Sequence, residues 1–451
     1  MEWLIGAEFA ALFFIFLFNL KQIMTLGGFS RHIAYAFSLL VYSVYELYTP
    51  AFNYFAGYRS LYGIDIEAYF PEALAVYIVG MLALTFGYWA SVHLRPAKPI
   101  KTLETYHDFR QPLLLIAIMC IVFGYLVFHN LTKAGFVDFG TLFNFKDQRS
   151  GIVYLYTLTS PHPEFPYIEA LTDTFITLLV LLFAYKMPRL AWWILAIAIG
   201  YFFLLTGWRY RLILTAIGCF AFYWCSLRWF REDYMKVAVI IAIGLFSLVL
   251  LTLNRMAIAK RLGEETTLDL SRFDGRLLSE QTINSQVFMA MLRYRDEHNL
   301  SLDYGQSMFM NTVYRAIPSS YLDGGVKPQS KLLRWQLLAQ GNTEGVVTER
   351  TGAITNVEEY YFSFGWAGVI GLTALLGWPL GRLAHFPPKD TFYNIVKALV
   401  AAFMFQLITR GYFPQQVELF VYLFFPLIFV RLISHYKIPD SSSVYVPRKS
   451  K

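Results

Sequence analysis

The sequence predicts an all-α polytopic membrane protein with about 11 transmembrane helices and one large helical loop. Three observations carry this reading. The 451 residues are 57% hydrophobic and 18% aromatic. Only 15% are charged, against about 25% in soluble domains. Apolar runs of about 20 residues, long enough to cross a bilayer as helix, recur from Trp3 to Ile433.

Within a bilayer core each backbone N–H and C=O must be satisfied inside its own segment, so each apolar run is read as a helix. In order they cover 3–20, 32–55, 72–94, 112–131, 169–185, 190–206, 212–227, 237–253, 357–380, 391–409 and 419–434. The chain therefore divides into eight spans within 1–253, a loop domain at 254–356, three spans within 357–436 and a tail at 437–451. The spans are nearly free of charge at their centres, Lys397 being the main exception. Secreted leaders and nucleic-acid binders are excluded for the chain as a whole, since no basic block stands apart from the apolar runs.

Orientation follows from the short loops, where positive residues stay on the cytoplasmic side. One alternating set of connections, with the C-terminal tail, holds 18 Lys and Arg, including Arg31, Arg95, Lys186, Arg228 and Arg382. The short loops of the other set hold seven: Arg59, Lys133, Lys146, Arg149, Arg209, Arg211 and Arg410. The first set is expected inside. The net charge of +7 is then mostly a topology signal. The loop at 254–356 falls outside, and its Phe288, Met291, Tyr294, Met308, Phe309, Tyr314, Trp335 and Leu337 are spaced as in short amphipathic helices. Its length suggests function, because long loops in ordered proteins are usually functional.

Chemistry is sought among the exceptions to the charge pattern. Thr206-Gly-Trp-Arg-Tyr-Arg211 is a tight outer turn holding Arg209 and Arg211, and Thr409-Arg-Gly-Tyr-Phe-Pro414 is another, holding Arg410. A guanidinium is always charged, forked and weakly hydrated, which suits bidentate contact with phosphate oxygens. Snorkelling to lipid headgroups is the plainer alternative. Glu358 and Glu359 open a span, where a helix N-terminus favours an acid by about 0.3–1 kcal/mol. Capping accounts for one of them; an acid at membrane depth is otherwise a functional candidate. His298 is the one histidine of the long loop, and a lone loop histidine is most simply solvated. Cys120, Cys219 and Cys225 all sit in apolar runs, so neither a disulfide nor a metal is expected. No P-loop, GxGxxG, HExxH or nucleophile elbow is present.

Four outer-face segments in this order resemble the Wzy-type O-antigen and oligosaccharide repeat-unit polymerases. They are Gly207-Trp-Arg-Tyr-Arg-Leu-Ile-Leu214; Tyr304-Gly-Gln306 with Tyr314-Arg-Ala-Ile-Pro-Ser-Ser-Tyr321 and Lys327-Pro328; Glu359-Tyr-Tyr-Phe-Ser-Phe-Gly-Trp366; and Thr409-Arg-Gly411. The resemblance implies a GT-C-like integral membrane glycosyltransferase of the bacterial inner membrane with its active site facing the periplasm. Its donor and acceptor would be undecaprenyl-diphosphate-linked oligosaccharides, used without cofactor or metal, and a chain-length regulator would be a further partner. It implies Glu359, Arg209 and Arg410 as catalytic residues. Arg211, Arg315, Lys327, Arg149 and Glu358 would bind diphosphate or glycan. An O-antigen ligase, which would make His298 important, and a lipid-linked sugar flippase are the alternatives.

Overall fold

The computed structural model describes residues 2–94, 172–205, 209–226, 283–317, 330–341, 352–386 and 390–435, with isolated positions among 116–125 and at 321, 322 and 328. Among them the chain is helical, apart from a small ribbon in which Ser60–Leu61 pairs antiparallel with Ile64–Asp65. The first part holds α1 (Glu2–Thr25), α2 (Gly28–Tyr42), a π-helical turn (Ser43–Tyr48), α3 (Thr49–Phe55) and α4 (Phe70–His93). Then come α5 (Thr174–Ala184), α6 (Arg189–Leu205) and α7 (Arg209–Ser226). The long loop supplies α8 (Asn284–Glu297), α9 (Gln306–Ala316) and α10 (Lys331–Ala339). The chain closes with α11 (Asn356–Leu383), α12 (Thr391–Thr409) and α13 (Phe413–His435).

Five of the described helices, α1, α4, α11, α12 and α13, are long and apolar enough to cross a membrane. Shorter apolar helices lie at Thr174–Ala184, Arg189–Gly200 and Tyr210–Ser226. The expected run at 32–55 is not one uniform helix, because the π-helical turn interrupts it between α2 and α3. The run at 237–253 and most of 112–131 lie outside the described residues. The helical character of the long loop appears in α8, α9 and α10, within the part of it that is described.

α1 illustrates how the bilayer replaces a second protein layer. Its Phe9 and Leu12 pack inward, whereas Trp3, Phe13, Phe14 and Phe18 are exposed, as suits a helix with lipid on one side. Between membrane helices the driving force is close packing rather than escape from water, so small residues bring backbones together. The most extensive helix contact, α4 on α11, is built this way. A Cβ on Gly87 would lie 2.0 Å from the Ala374 carbonyl oxygen, and one on Gly377 would lie 2.4 Å from that of Leu84. This contact seats α11 centrally.

The helix ends sort into two groups. At one end the starts of α4, α5, α7, α11 and α13 meet the finish of α12, and α8, α9 and α10 cover them. At the other, Arg31 near the start of α2 donates to the Ala384 carbonyl just past α11, and buried Lys397 of α12 donates to that of Phe386. Cations on the carbonyl end of a helix complement its dipole. This gives Lys397, the exception noted in the sequence, a partner at the end away from the loop helices.

Gly377→Leu should prevent the α4–α11 approach and lower stability by the about 1–3 kcal/mol typical of overpacking or more. Gly371, whose Cβ would meet nothing within 4 Å, provides the control: Gly371→Leu should unfold as the wild type does. Denaturant unfolding of the purified protein in detergent checks the pair.

Candidate functional site

The site grows from the amino-terminal turn of α11. That turn is buried, and its orphan N–H groups need partners. Thr355 caps it: the Glu358 N–H donates to Thr355 Oγ1 at 3.4 Å while the Thr355 N–H donates to Glu358 Oε2 at 2.6 Å, a reciprocal capping box. Glu358 Oε1 accepts the Tyr77 hydroxyl at 2.6 Å. With 0% exposure and both oxygens engaged, Glu358 joins the cap to α4. Asn356 accepts the Tyr42 hydroxyl at 2.9 Å, which ties in α2.

Glu359 points elsewhere. Both its oxygens accept the Phe413 N–H, at 3.1 and 3.0 Å, so the carboxyl sits against the turn between α12 and α13. That turn carries Arg410, which is exposed. The contact is close because residue 411 lacks a side chain: a Cβ there would lie 2.3 Å from the Thr355 carbonyl oxygen. Asn284 of α8 donates to the Thr409 carbonyl at 2.9 Å, holding the turn from the other side. Glu359 and Arg410, 51 positions apart in the chain, thus belong to adjoining turns.

α11 breaks at Gly365, whose φ of 62° and ψ of −149° are essentially closed to other residues. The break frees the Phe362 carbonyl, which accepts the Asp303 N–H at 3.0 Å. Asp303 in turn accepts from the Ser307 N–H and hydroxyl at 2.7 and 3.0 Å, and Ser307 Oγ accepts the Leu332 N–H of α10 at 3.0 Å. A Cβ on Gly305 would strike the Phe364 ring at 2.3 Å. The Tyr304-Gly-Gln306 and Glu359-to-Trp366 segments therefore dock on each other, and α9 is fastened to α11. At its far end Arg315 of α9 forms an ion pair with Glu418 of α13.

Arg315 also acts electrostatically on Asp173 and on the Tyr412 phenol. Burial pushes that phenol above its ordinary value, Arg315 opposes the shift and Glu359 adds to it. Arg211 is 1% exposed and is bound to Asp173 at the start of α5, Nε to Oδ1 at 2.5 Å. Its guanidinium lies over the Tyr210 ring, 4.9 Å from the centroid. The tight-turn arginine that the sequence places at the surface is thus an internal strut between α5 and α7. Arg209 begins α7, two residues earlier.

The structure accordingly brings Glu359, Arg410 and Arg315 to one end of the bundle, with Arg211 beside them through Asp173. Arg149, Lys327 and the side chain of Arg209 lie outside the described residues. His298 is exposed just past the end of α8, its Nδ1 hydrogen-bonded to the Tyr294 carbonyl at 3.0 Å. Sequence reasoning passed over Asp173, Asp303, Glu418 and Glu46. Glu46 is fully buried in the π-helical turn. An acid inside an otherwise apolar run was the signal that could have found it. Among the described residues no three His, Cys, Asp or Glu side chains are grouped to hold a metal ion.

Fold and charges together define an all-helical membrane protein with an acid–guanidinium cluster at one end of its helices. Its sequence identifies the class more closely: the chain belongs to the O-antigen polysaccharide polymerase Wzy family, whose profile matches residues 4–438. Membership brings a polymerase role of the glycosyltransferase type, acting on lipid-linked oligosaccharide repeat units. No curated protein and no solved structure matches the chain.

Removing one partner of a buried ion pair leaves an uncompensated charge and costs about 3–5 kcal/mol. Arg211→Ala should therefore lower the unfolding free energy by that amount, and replacing Asp173 and Arg211 together with apolar residues should cost much less. A double-mutant cycle read by thermal unfolding measures both.

Proposed function

We propose that the protein joins oligosaccharide repeat units carried on undecaprenyl diphosphate into O-antigen or a related surface polysaccharide, on the periplasmic face of the bacterial inner membrane. On this reading about eleven spans form a GT-C-like frame, and the end covered by α8, α9 and α10 faces the periplasm. The cation count of the short loops supports that orientation, since the opposite set with the tail holds 18 Lys and Arg against seven.

The observation that carries the reading is the seating of Gly411 on Thr355, which holds the Arg410 turn against Glu359. Transfer breaks the bond between the donor sugar's anomeric carbon and the diphosphate, and forms a bond from that carbon to an acceptor hydroxyl oxygen. Negative charge develops on the departing diphosphate, and preorganised cations at that position lower the barrier. Arg410, Arg209 and Arg315 supply them. Arg315 is held by Glu418 on one side and lies within electrostatic reach of Tyr412 on the other. The acceptor hydroxyl must lose a proton, and Glu359 is the carboxyl that orients and receives it. The Phe413 N–H bound to both its oxygens fixes its rotamer.

The remaining residues act at one remove. Glu358 holds the cap of α11, and Arg211 positions α7, and with it Arg209, through Asp173. Lys327 would close with Arg315 over the donor diphosphate or the acceptor, and Arg149 is assigned to the second lipid's diphosphate. The growing chain would pass from its own lipid to the incoming lipid-linked unit, without cofactor or metal, and a chain-length regulator would act on the assembled enzyme.

Arg410→Ala and Glu359→Gln should each leave the protein in the membrane while slowing extension of a purified lipid-linked repeat unit by about 10²-fold or more, the loss typical of removing one preorganised charge stabiliser. A ladder of wild-type length from both variants would overturn the site assignment. If the wild type moves the unit across vesicles without extending it, the flippase reading replaces this one. Transfer only to a non-repeat acceptor, abolished by His298→Ala, would favour a ligase.

A further inference from the structure

The outward side of α9 has no role in the reading above. Its residues Gln306, Phe309, Met310, Val313 and Ala316 fall at spacings of three and four, which is one face of a helix. The three large apolar members are exposed: Phe309 by 53%, Met310 by 47% and Val313 by 54%. On the opposite side Ser307, Met308 and Asn311 are buried. Most amphipathic helices of a loop cap turn their apolar side inward. This one turns it out.

The attachments of α9 fix its depth. At its start Gly305 lies against Phe364, two residues before the exposed Trp366 of α11, after which Ile370 is also exposed. At its finish Arg315 pairs with Glu418, about 7.5 Å along α13 from Phe413 at 1.5 Å per residue. The next turn of α13 exposes Phe420 and Val421. Both ends of α9 are thus anchored where the lipid-facing surfaces of two membrane-spanning helices begin. On the apolar side of α9 the Phe309 ring lies 6.4 Å from that of Phe364 and 6.0 Å from that of Phe413, centroid to centroid.

We propose that α9 lies in the membrane interface on the side of the site, with Phe309, Met310 and Val313 among the acyl chains of that leaflet's phospholipids. Interfacial amphipathic helices seat their apolar face about 5–10 Å into the headgroup boundary. This placement holds Arg315 at headgroup depth, where a lipid-borne diphosphate also sits. It requires only that α11 and α13 cross the bilayer, so it stands independently of the assigned chemistry.

Nitroxide labels on the full-length protein in phosphatidylethanolamine–phosphatidylglycerol vesicles test it. Val313→Cys and Met310→Cys are labelled separately in a background with Cys120, Cys219 and Cys225 changed to Ser, and Glu297→Cys provides the aqueous benchmark. Collisions with oxygen, which concentrates among acyl chains, are compared with collisions with a water-soluble nickel chelate. The oxygen-to-nickel ratio should be several-fold higher at 313 and 310 than at 297. A ratio equal to that at 297 would place the face in water. Protection from both reagents at both positions would mean that protein covers it. Either result overturns the proposal.

Discussion

A buried helix start must find partners for its backbone donors, and in this protein that requirement at the head of α11 organises the end of the molecule where the charges gather. Thr355 and Glu358 satisfy each other across the cap, and Tyr77 locks the second Glu358 oxygen to α4. Tyr42 brings α2 to Asn356. The neighbouring acid, Glu359, performs the same service for a different backbone by taking the Phe413 N–H. One helix terminus thereby reaches α2, α4 and the turn that carries Arg410. The break at Gly365 extends the arrangement, because the carbonyl it frees is where Asp303 docks.

The arginines divide by burial, and burial decides what each can do. Arg211 is enclosed and bound to Asp173. A guanidinium in that position has exchanged water for one carboxylate and two nearby rings, which holds α5 and α7 in register. Arg410 stands exposed on a turn whose path is set by the Gly411 contact. Arg315 is fastened to Glu418 and still 41% exposed. Enzymes that stabilise a departing anion need charges fixed before the reaction starts. A charge held by a neighbouring acid or a packed turn meets that need better than one on a free loop.

Much of the architecture was legible in the chain. Hydropathy located α1, α4, α11, α12 and α13, since a bilayer leaves a spanning segment little choice but a long apolar helix. Charge in the short loops sorted the helix ends into two sets, and the described ends do meet in those two groups. The family resemblance put Arg410 and Glu359 in one candidate set with Arg209, and did not say which of them adjoin. Other features were hidden. Glu46 does not stand out from its apolar run, because hydropathy averages over a single acid. Asp173 was overlooked because its value lies entirely in its distance to Arg211. The two adjacent acids of α11 look equivalent as a dipeptide, yet successive residues on a helix point about 100° apart. One therefore reaches Tyr77 and the other reaches Phe413.

Composition and period by themselves determined that this chain is a bundle of membrane helices with charges kept to their ends, because lipid penalises any other pattern. The family's motifs were also present in the linear order of the residues. The tertiary structure alone decided which of those charges share a site and which became internal struts. It also showed that the apolar side of α9 faces away from the protein. These outcomes depend on close backbone contacts, at Gly87 with Gly377 and at Gly411 with Thr355, and on one break in a helix. None of them leaves a mark on hydropathy or charge, since each is a relation between segments far apart in the chain.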